Sequence, residues 1–138
     1  MGQKVHPLAN RLGYTKDWSS RWFAKKKFAE VLQEDLTIRK YIKTRLYRAG
    51  VSRIQIDRAG RYVRINIHTA RPGIVIGKKG ADAEKLREEL ESICSQKVFI
   101  NIVPIKNPGV DAQLLSESIA VQLEKKMPYR RVIKRAIA

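Results

Sequence analysis

A doubly charged tetrapeptide bracketed by glycines, Gly77-Lys78-Lys79-Gly80, joins the short apolar run Pro72-Gly73-Ile74-Val75-Ile76 to an amphipathic pattern that begins at Ala81. This junction constrains the fold more than any other feature of the chain, because its flanks read as two helices that the four residues must connect. Glycine at each end removes the Cβ atoms that would hold a sugar-phosphate chain off the main chain, and it allows dihedrals that other residues reach only at a cost. The lysines add positive charge at the same point. Unpaired N–H groups opening the next helix contribute the positive end of its dipole, so a phosphate placed there meets donors and a favourable field together. A string of four residues recurs by chance, however, and by itself is better read as a solvated turn. The flanks have to decide.

Residues 52–57 and 61–69 form two runs in which Ile54 and Ile56, then Val63, Ile65 and Ile67, occupy alternate positions, separated by Arg58-Ala59-Gly60. The spacing predicts a hairpin with one apolar face, the outward face of its second strand carrying Tyr62, Arg64, Asn66 and His68. Ala83, Leu86, Leu90 and Ile93 recur at three and four residues, which predicts a helix over 81–94 with one buried stripe. Residues 97–103 alternate again, with Val98, Ile100 and Ile102 facing the core and Pro104 ending the run. Ahead of the hairpin, Phe28, Val31, Leu32, Ile38, Tyr41, Ile42 and Leu46 mark one helix or two abutting ones, closed by Gly50. The order is helix, strand, strand, short helix, GKKG, helix, strand. This resembles the type II KH fold, an α+β architecture in which a three-stranded sheet is covered on one face by helices and the GKKG loop lies between two of them. In KH modules such a loop clamps about four nucleotides by their backbone. The chain then divides into a basic N-terminal arm (1–27), the KH domain (28–106) and C-terminal helices (107–138).

Charge points the same way. Twenty-nine Lys and Arg against thirteen Asp and Glu leave a formal charge of +16 on 138 residues, and such an excess implies a polyanionic partner. RNA or a membrane surface would both qualify, but insertion into a membrane is not expected, since no apolar run approaches the roughly twenty residues that a spanning helix needs. The opening Met1-Gly2-Gln3-Lys4-Val5-His6 has neither the Ser or Thr of a myristoylation site nor the apolar stretch of a signal peptide, so a cytoplasmic location is expected. Cys94 falls in the helical stripe and reads as a small core residue. A catalytic reading finds no footing: the GKKG string is not a GxxxxGK[ST] phosphate loop, and His6 and His68 have no metal-ligand spacing with each other or with Cys94. Asp82, Glu84, Glu88, Glu89 and Glu91, set among Lys85 and Arg87, look like solvated ion pairs. Neither an enzyme, a cofactor nor a metal is therefore expected.

Two flanking segments carry further candidates. In the arm, Lys4, His6, Arg11, Lys16 and Arg21 are interleaved with Tyr14, Trp18, Trp22 and Phe23 without periodicity. Such a segment is either a disordered basic arm, with Trp22 and Phe23 packing back on the domain, or an arm that orders on RNA by neutralising phosphates. At the other end, Asp111 is placed to cap a helix in which Leu115, Ile119 and Leu123 recur, and Pro128 stops it and opens another. In that last helix Arg130, Arg131, Lys134 and Arg135 fall on one face, with Val132, Ile133, Ala136 and Ile137 opposite. Four cations without an acid repel one another by a few tenths of a kcal/mol per pair, a cost that an anionic partner would offset.

The opening Gly2-Gln3-Lys4-Val5-His6-Pro7 with Arg11-Leu12-Gly13, the run from His68-Thr69-Ala70-Arg71 through Gly80, and Arg130-Arg131 with Lys134-Arg135 resemble the bacterial small-subunit ribosomal protein S three family over essentially the whole chain. The resemblance implies a structural constituent of the small-subunit head, bound to ribosomal RNA beside proteins of the S ten and S fourteen families. It also implies that the residues matching Arg130, Arg131 and Lys134 line the entry pore for messenger RNA and help to open structured messages. Members of that family continue into a second α/β domain, so the helical pattern reaching Ala138 is expected to be a connector to a domain this sequence lacks. The alternative is a free-standing KH factor that binds RNA during ribosome assembly.

Overall fold

The computed structural model describes residues 2–60, 62–94 and 96–137, without the side chain of Lys79. Its elements are β1 (Ser20–Arg21), α1 (Phe28–Arg45), β2 (Val51–Ala59), β3 (Tyr62–Thr69), α2 (Pro72–Ile76), α3 (Ala81–Cys94), β4 (Lys97–Pro104), α4 (Ala112–Glu124) and α5 (Tyr129–Ile137). The alternation read from the sequence builds the hairpin. Ile54 pairs with Ile67, Ile56 with Ile65 and Arg58 with Val63, so these side chains share the inner face. The segment Arg58-Ala59-Gly60, expected to be the turn, is mostly strand: β2 runs on to Ala59 and Gly60 enters the turn at φ 60°. Arg61, expected to open the second strand, lies outside the described residues.

β3 also pairs in parallel with β4, from Tyr62 opposite Lys97 to Thr69 opposite Pro104. A parallel neighbour requires a crossover, and α2 and α3 supply it on one face of the sheet. The three expected strands thus form the type II KH arrangement. The arm adds a fourth: β1 pairs in parallel with β2, Ser20 opposite Ile56 and Arg21 opposite Asp57, giving the order β1-β2-β3-β4.

Ile38 and Ile42 of α1, Leu86, Leu90 and Cys94 of α3 and the inner-face residues of β2, β3 and β4 form one buried cluster. Burial pushes the Cys94 thiol above its ordinary range, in keeping with an inert core residue. Ile100 packs against the cluster only partly buried, and Ile102 is likewise half-buried. Phe28 and Leu32, part of the apolar pattern that marks α1, are exposed rather than in the core. Among the described residues Asp35 is the one buried charged residue. Asp35 of α1 accepts hydrogen bonds from Trp22 Nε1 at 2.8 Å and from Arg58 Nε and Nη2 at 2.9 and 2.7 Å, while Arg58 Nη1 reaches Glu34 at 2.9 Å. Burial alone would lower the Arg58 guanidinium, but hydrogen bonds and charge from Asp35 and Glu34 outweigh it and raise its pKa. Trp22 therefore ties the arm to the domain, its ring 5.1 Å from that of Phe28. Phe23 does not pack back as expected: it is 84% exposed, because it follows Trp22 on the opposite side of an extended segment.

α4 docks through a bulge. Between Val51 and Arg53 the register with β3 shifts by one residue, leaving Ser52 to donate a hydrogen bond to Asp111 Oδ2 at 2.7 Å. Asp111 caps α4 as expected, its Oδ1 accepting from the N–H groups of Gln113 and Leu114, both at 3.1 Å. Lys43 Nζ reaches Glu117 at 2.5 Å and also the Val51 carbonyl. α5 packs against α4 through Val132, which is buried, whereas Ile133 and Ile137 of the expected apolar face are exposed. Ala138 lies outside the described residues.

Candidate nucleic-acid interface

Pro72 opens α2 at its first position, where a missing N–H costs nothing, and Val75 anchors the helix in the core. Gly77 then adopts φ 69°, ψ −171°, a conformation closed to residues with a Cβ. A second constraint is steric. A Cβ built at Gly77 would overlap the Asp82 side chain, lying 2.7 Å from Asp82 Cβ, so the clash involves the root of that side chain and rotamer change does not relieve it. Lys78–Gly80 form a single 3-10 turn leading directly into α3, and Gly80, at φ 84°, would meet nothing within 4 Å. Gly80 is thus required by conformation alone, Gly77 by conformation and space. Lys78 is exposed, and the side chain of Lys79 lies outside the described residues.

The electrostatics at this turn are mixed. Asp82 and Glu84 occupy the first turn of α3, where carboxylates complement the helix dipole. They also tell against a phosphate seated deep on that N-terminus, and leave the exposed lysine and the glycine backbone as its natural contacts. Two of the other acids of α3, Glu89 and Glu91, are not the solvated ion pairs within the helix expected from the sequence. Glu89 accepts from Tyr41 Oη at 2.7 Å and pairs with Arg45 at 3.5 Å, and Glu91 accepts from the Val98 N–H at 3.1 Å. Among the described residues neither Lys85 nor Arg87 takes part in an ion pair. These acids hold α3 against α1 and β4.

Beside the turn is a recess of about 430 Å³, lined by the end of α1 and the residues after it (Arg45, Tyr47, Arg48), by Ile74 of α2 and by Asp82 and Leu86 of α3. Arg48, the Glu89-paired Arg45, an exposed tyrosine and an exposed isoleucine line it together with Asp82, a mixed and partly apolar surface. These residues were not singled out from the sequence. The signal was available in Lys43-Thr44-Arg45-Leu46-Tyr47-Arg48, a basic stretch interrupted by an aromatic just before Gly50.

The other candidates lie apart from this surface. Lys4, His6, Arg11 and Lys16 are exposed along the arm, with His6 Nδ1 accepting from the Leu8 N–H at 3.2 Å and Arg11 donating to the Pro7 carbonyl at 3.1 Å. Arg21 is already engaged, paired with Asp17 and 4.0 Å from Asp57. On α5, Arg130, Arg131, Lys134 and Arg135 are all exposed, and the Arg130 guanidinium lies 5.8 Å from the Tyr129 ring centre. His68 is on the outer face of the sheet, 3.0 Å from Gln55 Oε1, and burial with the nearby Arg53 lowers its pKa.

Fold and turn together define a KH-type module, and residues 37–110 match the KH domain family model. The chain belongs to the KH domain family. Over its whole length it is also similar to proteins named small ribosomal subunit protein uS3. The protein from Carboxydothermus hydrogenoformans is 55% identical over 139 residues, covering 100% of this chain and 63% of that protein. That from Endomicrobium trichonymphae is 55% identical, covering 99% and 59%. That from Magnetococcus marinus is 55% identical, covering 99% and 65%. The chain therefore spans just under two thirds of the length of these relatives. No group of His, Cys, Asp and Glu among the described residues is placed to hold a metal ion, and no described helix is long and apolar enough to cross a membrane.

Proposed function

We propose that this chain is a structural, non-enzymatic constituent of the small ribosomal subunit, that it binds ribosomal RNA in the subunit head beside proteins of the S ten and S fourteen families, and that it acts in the cytoplasm. The observation that carries this reading is whole-chain similarity to proteins named uS3, joined to a GKKG turn in which Gly77 accepts no side chain. In this reading residues 1–27 are the rRNA-binding arm, with Lys4, His6, Arg11, Lys16 and Arg21 as its contacts. Residues 28–106 are the KH domain, whose Gly77, Lys78, Lys79 and Gly80 track a phosphate backbone. Residues 107–138 form a helical connector that brings Arg130, Arg131, Lys134 and Arg135 to messenger RNA at the entry pore. Four exposed cations on a nine-residue helix with no acid support that last role.

Ribosomes carrying Arg130→Ala, Arg131→Ala and Lys134→Ala together test the reading. Exposed substitutions usually change stability by less than about half a kcal/mol, so folding and subunit incorporation persist. Translation of an unstructured message proceeds normally and slows on a message with a stable hairpin at the entry. Equal slowing on both messages contradicts the entry-pore role, and failure of the wild-type chain to sediment with mature small subunits contradicts the structural role in favour of an assembly factor.

A further inference from the structure

The helices cover one face of the sheet; on the other, the arm and the start of α4 lie against outward residues of β2, where Arg53 donates to the Asp17 carbonyl and Ser52 to Asp111, while the β3–β4 part stays exposed. On that open face Tyr62 and Phe99, 51% and 55% exposed, come together from β3 and β4 with ring centres 5.7 Å apart and planes inclined at 52°. Register brings the cations to them: Lys97 stands opposite Tyr62, and Arg64 stands opposite Phe99. Neither Arg64 nor Lys97 is ion-paired among the described residues. Asp57, the one acid on the described outward strand positions, is taken up by Arg21 at 4.0 Å and by Asn66 Nδ2 at 3.3 Å. One step along the strands Asn101 donates to Asn66 Oδ1 at 3.2 Å, which sets the exposed Asn101 amide and the half-buried Asn66 amide beside the aromatic pair. Large exposed aromatics on an uncovered sheet are costly to leave in water, and here they are ringed by unneutralised positive charge and amides.

We infer that this open face is a second RNA-binding surface, distinct from the GKKG turn, on which unpaired bases of a single strand stack against Phe99 and Tyr62. Arg64 and Lys97 meet the flanking phosphates, and the Asn66 and Asn101 amides face the base edges. Charge complementarity selects this occupant: an acidic protein would satisfy the cations but not use two adjacent ring faces, whereas single-stranded RNA uses both. The surface is separate from the turn because α2, the turn and α3 all lie in the crossover on the covered side of the sheet.

The test is a titration of the whole chain with a labelled oligouridylate of about eight nucleotides, a length within the range a single-strand-binding fold covers. Phe99→Ala weakens binding by roughly 5- to 150-fold, the range expected for losing one stacked base, and Phe99→Tyr restores most of it. The titration is made in the Lys78→Asp, Lys79→Asp background, so that binding at the turn does not mask the loss at this separate face. Binding to inorganic polyphosphate, which has charge and no bases, is unchanged by Phe99→Ala. Both rings are exposed, so these variants fold, and circular dichroism checks that they do. Unchanged oligouridylate affinity in Phe99→Ala and Tyr62→Ala overturns the inference. So does an equal loss towards polyphosphate, or a loss only of protein association, which assigns the face to a protein partner.

Discussion

Removing Arg58 tests how the arm, α1 and the sheet are joined. The Arg58 side chain is 8% exposed and that of Asp35 only 2%, so the pair sits where an unpartnered charge has little access to water. Arg58→Met keeps the length and apolar stem but withdraws both hydrogen bonds from Asp35 and one from Glu34, leaving Asp35 with Trp22 as its remaining side-chain donor. Breaking a buried pair from one side costs about 3–5 kcal/mol. That is a large share of the 5–15 kcal/mol holding an ordinary domain together. For a chain of this length it lowers the melting temperature by about 10–20 °C. The expected compensation is specific: Asp35→Asn in the Arg58→Met background restores most of the loss, because the neutral amide keeps an acceptor for Trp22 and carries no charge to desolvate. Circular dichroism melts of the two single variants and the double variant form the cycle. A loss below about 1 kcal/mol in Arg58→Met, or a double variant no more stable than the single ones, refutes the reasoning.

Gly77→Ala costs more stability than Gly80→Ala in urea denaturation, about 1–3 kcal/mol for a strained positive-φ residue plus the collision with Asp82, against the conformational part alone at Gly80. Acid should loosen α4 before the sheet. Partial burial raises the Asp111 and Glu117 carboxyls, but hydrogen bonds from Ser52, Leu114 and Gln113 to the first, and from Lys43 and Gln113 to the second, outweigh it and hold both pKa values below the ordinary range. Folded-state values depressed in this way contribute stability above the unfolded values near 4, and that stability is lost as pH falls through the folded ones. Hydrogen exchange of α4 amides across that window checks it, and Asp111→Asn removes its share of the pH dependence.

Much of this architecture was legible because period-2 and period-3.6 patterns are local. The inner-face isoleucines, the stripe of α3, the Asp111 cap and the GKKG junction all announce themselves within a few residues. What escaped was set by contacts far apart in sequence. Arg58 was assigned to the turn because a charge ended the apolar alternation, yet its parity with Ile54 and Ile56 put it on the inner face, where Asp35 from α1 neutralises it. The arm showed no period because its order comes from pairing with the β2 edge and from Trp22, not from its own packing. The recess beside the turn escaped for the same reason, since Arg45 and Ile74 meet there only after α1 and α2 have packed.

The central claim is that the GKKG turn holds an RNA backbone, and a salt titration addresses it most directly. Binding of the isolated chain to a single-stranded RNA is measured from low to moderate salt for the wild type, for Lys78→Asp with Lys79→Asp, and for the exposed pair Lys40→Asp with Lys125→Asp as a control that changes net charge equally elsewhere. The account predicts weak binding with little sequence preference, a marked loss in the turn variant, and a salt slope lower by about 1.4 for two lost contacts to a single strand, with a smaller effect in the control. An unchanged affinity and slope in the turn variant, or equal losses in both variants, contradicts the claim.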